Sequence, residues 1–350
     1  MSLASRQILI RADASRTIGT GHIMRCLTLA TALRNQGHEV SFASVPAPGD
    51  CIASVEAAGF PVLRLQQTDE TIPTTGGRFD WLVVDHYGLE ARWEQAMRAV
   101  TRNIMVIDDL ADRPHDADLL VDQNRDHTEA DYRPLISENC RLLIGPQYAL
   151  LREEFRIARN PVKPAGNGIR QLLISFGGSD PTGETAKTLT ALAGMPPAQR
   201  PENIVVVVGG SFEGLAALQQ QFHWPGLSFR QNIADMAQVL SQSDLVIGGG
   251  GTTSWERCCL GAPSVIIAVA DNQRGISRSL AEYGAAQFLG MHATVTAADI
   301  QAALIALQSD PGALNAMRQQ AAALVDGLGV DRVTAAMTTV ALAGHAAPPR

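Results

Sequence analysis

Short apolar runs alternate with amphipathic segments along the first half of the chain. Apolar positions in His22–Gln36 recur near helical spacing, and Gly37 marks the end of that predicted helix. Further helices are predicted at Asp50–Ala58 and Leu89–Val100. Strands are predicted from the runs QILIRAD, VSFAS, VLRL, FDWLVVD and NIMVIDD. This alternation indicates a parallel sheet with helices on both faces.

A Pro- and Gly-rich segment without periodicity follows, and we predict an interdomain linker at residues 161–168. Alternation then restarts with five apolar runs, QLLISFGG, NIVVVVGG, LSFRQN, DLVIGGGG and PSVIIAV. The helices predicted between them are Thr182–Ala193, Gly214–Gln221, Ile233–Leu240 and Thr252–Leu260. The Ala-rich region after residue 296 is also predicted to be helical, and the final HAAPPR is predicted to be a loose tail.

The pattern therefore predicts an α/β protein of two Rossmann-like, doubly wound parallel-sheet domains that face a cleft. The first domain is expected at residues 1–160 and the second at residues 169–343, and packing of the last helices on the first domain is left open. Ligands of such sheets bind beyond the carboxyl ends of the strands. The turns that follow strands are therefore where we look for chemistry.

Composition narrows the class of protein. The 350 residues are 46% hydrophobic and 18% charged, which is typical of a globular chain of two domains. The net charge of -7 argues against nucleic acid as a partner. No apolar run reaches the ~20 residues that span a bilayer, and the N-terminus lacks a signal pattern, so we expect a cytoplasmic protein without stable membrane insertion.

The five cysteines show no CxxC spacing, and no His/Asp cluster has the spacing of metal ligands. We predict neither a metal nor another cofactor. The oligomeric state is left open.

The loop after the first predicted strand carries Gly19 and Gly21, and His22 opens the helix that follows. Glycines let the backbone approach a ligand, and a helix N-terminus favours anions. A cation is disfavoured at the same place, so His22 is expected to be neutral and able to accept a proton. The alternative is a tight turn with a histidine that has no role.

A dinucleotide fingerprint is not complete here, because the third glycine is missing. The acidic residue expected ~20 residues later is also missing from the end of the second strand, where SFASVPAPG follows. An NAD enzyme is therefore disfavoured.

A second glycine-rich loop, GGGGTTSWE, follows the strand DLVIG. Its backbone around Gly250 and Gly251 is expected to lie against a ligand, with Thr252 and Thr253 donating to phosphate. Glu256 lies one turn into the helix, where a carboxylate is able to accept both hydroxyls of a ribose. An ordinary capping box from Thr253 to Glu256 is the alternative.

Two further loops suit the same ligand. Gly177 and Gly178, in FGGSDPTG, are candidates for phosphate contact, although Asp180 there also suits a helix cap. The amides of Asn272 and Gln273, in DNQRG, suit sugar hydroxyl or acetamido groups.

Taken together, these motifs resemble a known family. GTGHIMR, VVDHYG, VIDDLADRPHDADLLVDQN, GPQYALLREEF, SFGGSDPTGET, GGGGTTSWE and DNQ occur in this order over roughly residues 6 to 290. The set is similar to the hydrolases of pseudaminic acid biosynthesis that split UDP-2,4-diacetamido-2,4,6-trideoxy-β-L-altropyranose into UDP and the free sugar. That family resembles MurG, which implies the GT-B fold. Its place in pseudaminic acid biosynthesis implies a role in modifying flagellin or surface glycans.

The resemblance also implies roles for individual residues. His22 matches the catalytic base, and Asp13 and Tyr87 match residues on the sugar side. Arg25 ends the GTGHIMR motif and is placed with the substrate-binding residues. The uridine and phosphates are assigned to Thr252, Thr253 and Glu256, and the sugar to Asn272 and Gln273. The implied reaction is metal-independent, inverting C–O cleavage.

Two alternatives remain open. A MurG-like glycosyltransferase has the same architecture and donor end but adds an acceptor site, and a non-catalytic nucleotide-sugar binder needs no base at His22. The stereochemistry of the sugar is also open.

Overall fold

The computed structural model describes residues 5–73, 77–159 and 168–343. The chain divides into two compact units, which we call the first and second units. The first unit runs to Arg152 and resumes at Leu328, and the second unit is Glu153–Gly327. The predicted linker, apart from Gly168, and the predicted tail lie outside the described residues.

The first unit is built on a sheet of seven strands, all of them paired in parallel. The strands are β1 (Gln7–Ala12), β2 (Glu39–Ser44), β3 (Val62–Arg64), β4 (Phe79–Asp85), β5 (Thr101–Ile107), β6 (Leu119–Asp122) and β7 (Arg141–Ile144). Their order in the sheet is β3-β2-β1-β4-β5-β6-β7. The order reverses between β1 and β4, so the loops after these two strands leave the sheet side by side.

Helices cover both faces of this sheet. They are α1 (Gly21–Asn35), α2 (Ile52–Ala57), α3 (Ala91–Met97) and α4 (Glu129–Tyr132), together with α13 (Gly329–Ala343) from the end of the chain. Short 3-10 turns occupy Arg133–Leu135 and Pro146–Tyr148. The buried apolar face of α13, with Val333 and Met337, shares a core with Ile23 and Leu29 of α1. This burial of apolar surface is what attaches the returning helix to the first unit.

The second unit has a parallel sheet of six strands in the order β10-β9-β8-β11-β12-β13. The strands are β8 (Gln171–Ser175), β9 (Asn203–Val208), β10 (Leu227–Gln231), β11 (Leu245–Gly248), β12 (Ser264–Ala268) and β13 (Gln287–Met291). Its switch point lies between β8 and β11. The loops after those strands are FGGSDPTG and GGGGTT.

Eight helices belong to the described part of the second unit. They are α5 (Glu153–Ala158), α6 (Glu184–Ala193), α7 (Leu215–Gln221), α8 (Met236–Gln242), α9 (Thr253–Cys259), α10 (Gln273–Glu282), α11 (Ala297–Ser309) and α12 (Pro311–Leu324). A 3-10 turn occupies Pro197–Gln199. One core joins the apolar faces of α6, α11 and α12 to one side of the sheet.

The predicted fold class is confirmed: each unit is a doubly wound parallel sheet. The helix α1 begins and ends within one residue of the predicted His22–Gln36. The helices α4, α5 and α10 were not predicted. Three short strands, β6, β7 and β13, were not predicted. The chain also returns to the first unit at its end, so α13 packs in the first unit, whereas α11 and α12 pack in the second unit.

Candidate functional site

The turn after β1 brings His22 to the switch point of the first sheet. Gly19 adopts a positive φ of 81°, and its N–H donates to the carbonyl of Ser15 at 2.8 Å. This closes a tight turn that glycine makes at low cost. Gly21 is the first residue of α1, with His22 second, and the imidazole is buried.

The environment of His22 favours the neutral imidazole. Burial lowers its pKa, and the nearby Asp85 carboxylate only partly opposes this effect. The direction matches the expectation from sequence, although burial is the largest cause. Nδ1 has no hydrogen-bond partner among the described residues, and Nε2 lies 4.0 Å from Oδ1 of Asp85. At this distance the carboxylate acts on the imidazole through its charge and not through a hydrogen bond.

The ring of Tyr87 lies edge-on to that of His22, with the ring centroids 4.6 Å apart. Tyr87 follows β4, so the two residues meet because β1 and β4 are neighbours in the sheet. His86, the residue before Tyr87, accepts a hydrogen bond at its Nδ1 from the backbone N–H of Gly88 at 2.9 Å. Its Nε2 lies 3.3 Å from Oδ2 of Asp13.

Arg25 is held inside the protein by two carboxylates. Its Nε and Nη2 donate to Asp85 at 2.7 and 2.6 Å, and its Nη1 donates to Asp109 at 3.1 Å. Burial favours the neutral acid of Asp85, but the charge and hydrogen bonds of Arg25, together with smaller contributions from other neighbours, outweigh it and hold the pKa of Asp85 below its usual value. Arg25 therefore orders the ends of β4 and β5 beneath His22, and its role as a direct substrate ligand remains a prediction.

Asp13 directly follows β1 and is surrounded by donors. Arg11 donates to its two oxygens at 2.6 and 2.9 Å, and the Val45 amide donates at 2.8 Å. Burial raises the pKa of Asp13, but the hydrogen bonds from His86, Arg11 and Val45 and the charge of Arg11 together outweigh it and keep the pKa well below its usual value. The carboxylate is thus ionised and largely occupied, which suits a positioning role for Asp13.

Another imidazole–carboxylate pair lies at the end of β6. His127 Nδ1 is 2.8 Å from Oδ2 of Asp122, which also accepts the hydroxyl of Tyr132 at 3.0 Å. The hydrogen bond to Asp122 raises the pKa of His127 to about 9. His127 is therefore a cation at neutral pH, in contrast to His22. Sequence reasoning did not single out this pair.

In the second unit, close packing explains two of the four glycines after β11. A Cβ on Gly248 would lie 2.4 Å from the carbonyl oxygen of Ser175 on β8. A Cβ on Gly250 would lie 2.1 Å from Oγ of Ser277 on α10. Gly249 and Gly251 meet nothing closer than 3.6 Å. The loop is therefore closely packed against the rest of the second unit at Gly248 and Gly250 and has space for a side chain at Gly249 and Gly251.

Gln273 joins this loop to the loop after β12. Its Oε1 accepts the amides of Gly250 at 3.0 Å and Val269 at 3.1 Å. The Gln273 amide oxygen is thus committed to the protein, and its Nε2 lies over Gly251. Asn272 is the N-cap residue of α10 and makes no side-chain capping bond.

The capping box from Thr253 to Glu256, which was the alternative interpretation of this loop, does not begin α9. Its N-cap is Thr252, which makes no side-chain capping bond. The amides of Gly251, Thr252 and Thr253 have no hydrogen-bond acceptor among the described residues. Glu256 lies in the first turn of α9, as expected. Unpaired amides of this kind suit an anionic ligand.

The loop after β8 confirms one of the two interpretations made from sequence, the helix cap at Asp180. Gly177 has a φ of 88°, and the carbonyl of Gly178 accepts Oγ of Ser211 at 3.0 Å. Asp180 caps α6, because its carboxylate accepts the amides of Glu184 at 3.0 Å and Thr185 at 2.8 Å. Phosphate contact at the two glycines remains a prediction.

Comparison with known proteins identifies three relatives that are 27% to 35% identical to this chain over parts of their length. No protein-family model matches the chain. An uncharacterised protein of Methanocaldococcus jannaschii is 27% identical over 277 residues, which are 77% of this chain and 57% of that protein. The spore coat polysaccharide biosynthesis protein SpsG of Bacillus subtilis is 28% identical over 58% of this chain and 60% of its own length.

A third relative is the UDP-2,4-diacetamido-2,4,6-trideoxy-β-L-altropyranose hydrolase of Campylobacter jejuni. It is 35% identical over 153 residues, which are 43% of this chain and 53% of the hydrolase. The matches to these three relatives thus span between 53% and 60% of the relatives' own lengths.

Solved structures share this fold, which is of the GT-B type. MurG of Acinetobacter baumannii matches with a TM-score of 0.67 and 17% identity, over 95% of this chain and 99% of MurG. HepE of Anabaena, solved with UDP-glucose, matches with a TM-score of 0.59 and 15% identity, over 95% of this chain and all of HepE (100%). Within the described residues, no helix is both long and apolar enough to cross a membrane.

Proposed function

We propose that the protein is a UDP-sugar hydrolase in which His22 activates the attacking water. The observation that carries the proposal is the buried His22, whose lowered pKa and unpaired Nδ1 suit a general base. Its place at the switch point of a doubly wound sheet is where such folds bind ligands. The C. jejuni relative supports UDP-2,4-diacetamido-2,4,6-trideoxy-β-L-altropyranose as the substrate.

The reaction balances without a further reactant. His22 takes a proton from water, the water oxygen bonds to C1 of the sugar, and the bond from C1 to the phosphate oxygen breaks. UDP leaves with the bonding electron pair, so attack from the opposite face gives inversion. Tyr87, whose ring contacts that of His22, is proposed to orient the sugar or the water.

The diphosphate is assigned to the loop after β11. The unpaired amides of Gly251, Thr252 and Thr253 are donors for its oxygens, and donors arranged in advance stabilise a leaving group as charge develops. Glu256 is proposed to accept the ribose hydroxyls, and Nε2 of Gln273 is proposed to donate to the sugar. We propose a cytoplasmic location and a role in the synthesis of surface sugars.

A proton NMR assay tests this function. The purified protein is mixed with the diacetamido UDP-sugar in the presence of EDTA and without any acceptor. We expect UDP and free sugar to appear, and the anomer that forms first to be inverted. An unchanged spectrum under these conditions would contradict the proposal, and turnover only after an acceptor is added would identify a glycosyltransferase instead.

A further inference from the structure

A buried arginine lies directly against the glycine loop of the second unit. Arg257 is on α9 and is only 3% exposed. Its Nη2 donates to the carbonyl of Gly249 and to Oγ of Ser254, each at 2.7 Å. A Cβ at Gly248 would lie 2.7 Å from Nη1, so the glycine is what lets the guanidinium reach the loop.

The charge of Arg257 is not balanced by a neighbouring carboxylate. Among the described residues, the ion pairs within 4.0 Å include none to Arg257, and its Nε has no hydrogen-bond partner. Burial lowers the pKa of Arg257 to about 10, so the side chain is still a cation at neutral pH. A buried charge without a counterion is costly, which implies that something offsets the cost.

The loop beside this cation offers what an anion needs. Gly249 turns its carbonyl to the guanidinium, and the Gly250 amide is taken by Gln273. The amides of the next three residues, Gly251 to Thr253, are unpaired among the described residues. A single arginine thus fixes one carbonyl of the loop and places a positive charge next to it.

We propose that Arg257 is a positioning residue for the diphosphate of the ligand: it holds the loop through Gly249 and supplies the charge that the diphosphate balances. This inference rests on the proposed function, because it takes the ligand to be a nucleoside diphosphate. It predicts that Arg257 affects the recognition of UDP much more than the recognition of uridine, which has no phosphate.

The test compares UDP with uridine by titration calorimetry on the full chain. R257Q and R257M both remove the charge. If one of them does not fold, the measurement is made on the other. We expect the ratio of UDP affinity to uridine affinity to fall at least about tenfold, because a charge in a buried site acts strongly over several ångströms. R257K loses the planar guanidinium but keeps a positive charge, and through that charge it is expected to restore the ratio to within about threefold of wild type.

Arg318 provides a matched control. It is also a buried arginine with an unpaired Nε and a pKa lowered by burial, but it lies beside Gly261, just after the far end of α9. R318Q is expected to leave the ratio within about twofold of wild type, since its charge is not at the loop.

Two results would overturn the inference. One is a neutral variant of Arg257 that weakens UDP and uridine by the same factor, as a purely structural residue would. The other is an R257K protein that discriminates no better than R257Q. By contrast, a wild-type protein that binds UDP but releases no sugar would contradict the hydrolase proposal and leave the role of Arg257 intact.

Discussion

His22 and Asp85 face each other across the switch point of the first sheet, with Nε2 and Oδ1 4.0 Å apart. The same carboxylate is clamped by two hydrogen bonds from Arg25. Asp85 therefore has a fixed position and stays ionised. Its charge raises the pKa of His22 by less than burial lowers it, so His22 stays unprotonated. The pair combines a neutral base with a fixed negative charge behind it.

Removing the imidazole should affect turnover far more than binding. H22N is expected to lower kcat by ~10²-fold or more, because a positioned general base contributes this much, while UDP affinity stays within about twofold. UDP release and calorimetry measure the two quantities. H223N, which changes an exposed histidine of the second unit, is the control and should retain full turnover. Wild-type turnover by H22N would remove His22 from the mechanism.

Neutralising Asp85 should change both stability and the pH profile. D85N leaves Arg25 buried without its main partner, and breaking a buried pair costs roughly 3–5 kcal/mol of unfolding free energy, measured by urea denaturation. In wild type, kcat/KM should fall on the acid side with a pKa below 6.5, the ordinary value for histidine. Because Asp85 raises the pKa of His22, this acid limb should move to still lower pH in D85N. If the acid side of the kcat/KM profile is at the same pH in D85N as in wild type, Asp85 does not affect the pKa of His22.

His127 should make the protein less stable as the pH rises. Its pKa is raised to about 9 in the folded state, from an ordinary value of 6.5. The stabilisation is thus fully present below pH 6.5 and is lost as the pH rises through 9. H127Q should therefore be less stable than wild type at pH 6, and the difference in Tm should close near pH 10. A constant difference between these values would contradict the assignment.

Two neighbouring glycines should differ sharply in their tolerance of a methyl group. G248A places a Cβ 2.4 Å from the backbone oxygen of Ser175, and we expect a loss of roughly 1–3 kcal/mol in unfolding free energy. G249A meets its nearest atom at 3.6 Å, an ordinary contact, and should lose less than about 1 kcal/mol. Urea denaturation of the two variants measures the contrast. Equal losses would show that the approach of β8 is not what requires Gly248.

Periodicity and turn chemistry were enough to predict the architecture. The apolar positions of α1 repeat over four turns, and Gly37 stops the helix, so its bounds were predicted within one residue. The runs LLVD and RLLI, which form β6 and β7, are only four residues long and carry no distinctive period. Short strands of this kind take their conformation from their neighbours in the sheet, which the local sequence does not contain.

Contacts between distant residues explain what the sequence missed in the candidate site. Arg25 and Asp85 are 60 positions apart, so nothing local shows that the arginine of GTGHIMR is paired inside the protein. The need for glycine at position 248 likewise comes from β8, which lies more than 70 residues earlier. His22 was predicted because its signal is local: a glycine turn after a strand and before a helix.

The central claim is that water attacks C1 of a UDP-sugar, and the most direct test is turnover in ¹⁸O-labelled water followed by ³¹P NMR of the UDP released. Cleavage between C1 and oxygen leaves the β-phosphate of UDP with its original oxygens, so we predict UDP without the label. The label on the β-phosphate would mean attack at phosphorus, and a complete absence of released UDP would mean that the protein does not hydrolyse this substrate. Either result would contradict the account.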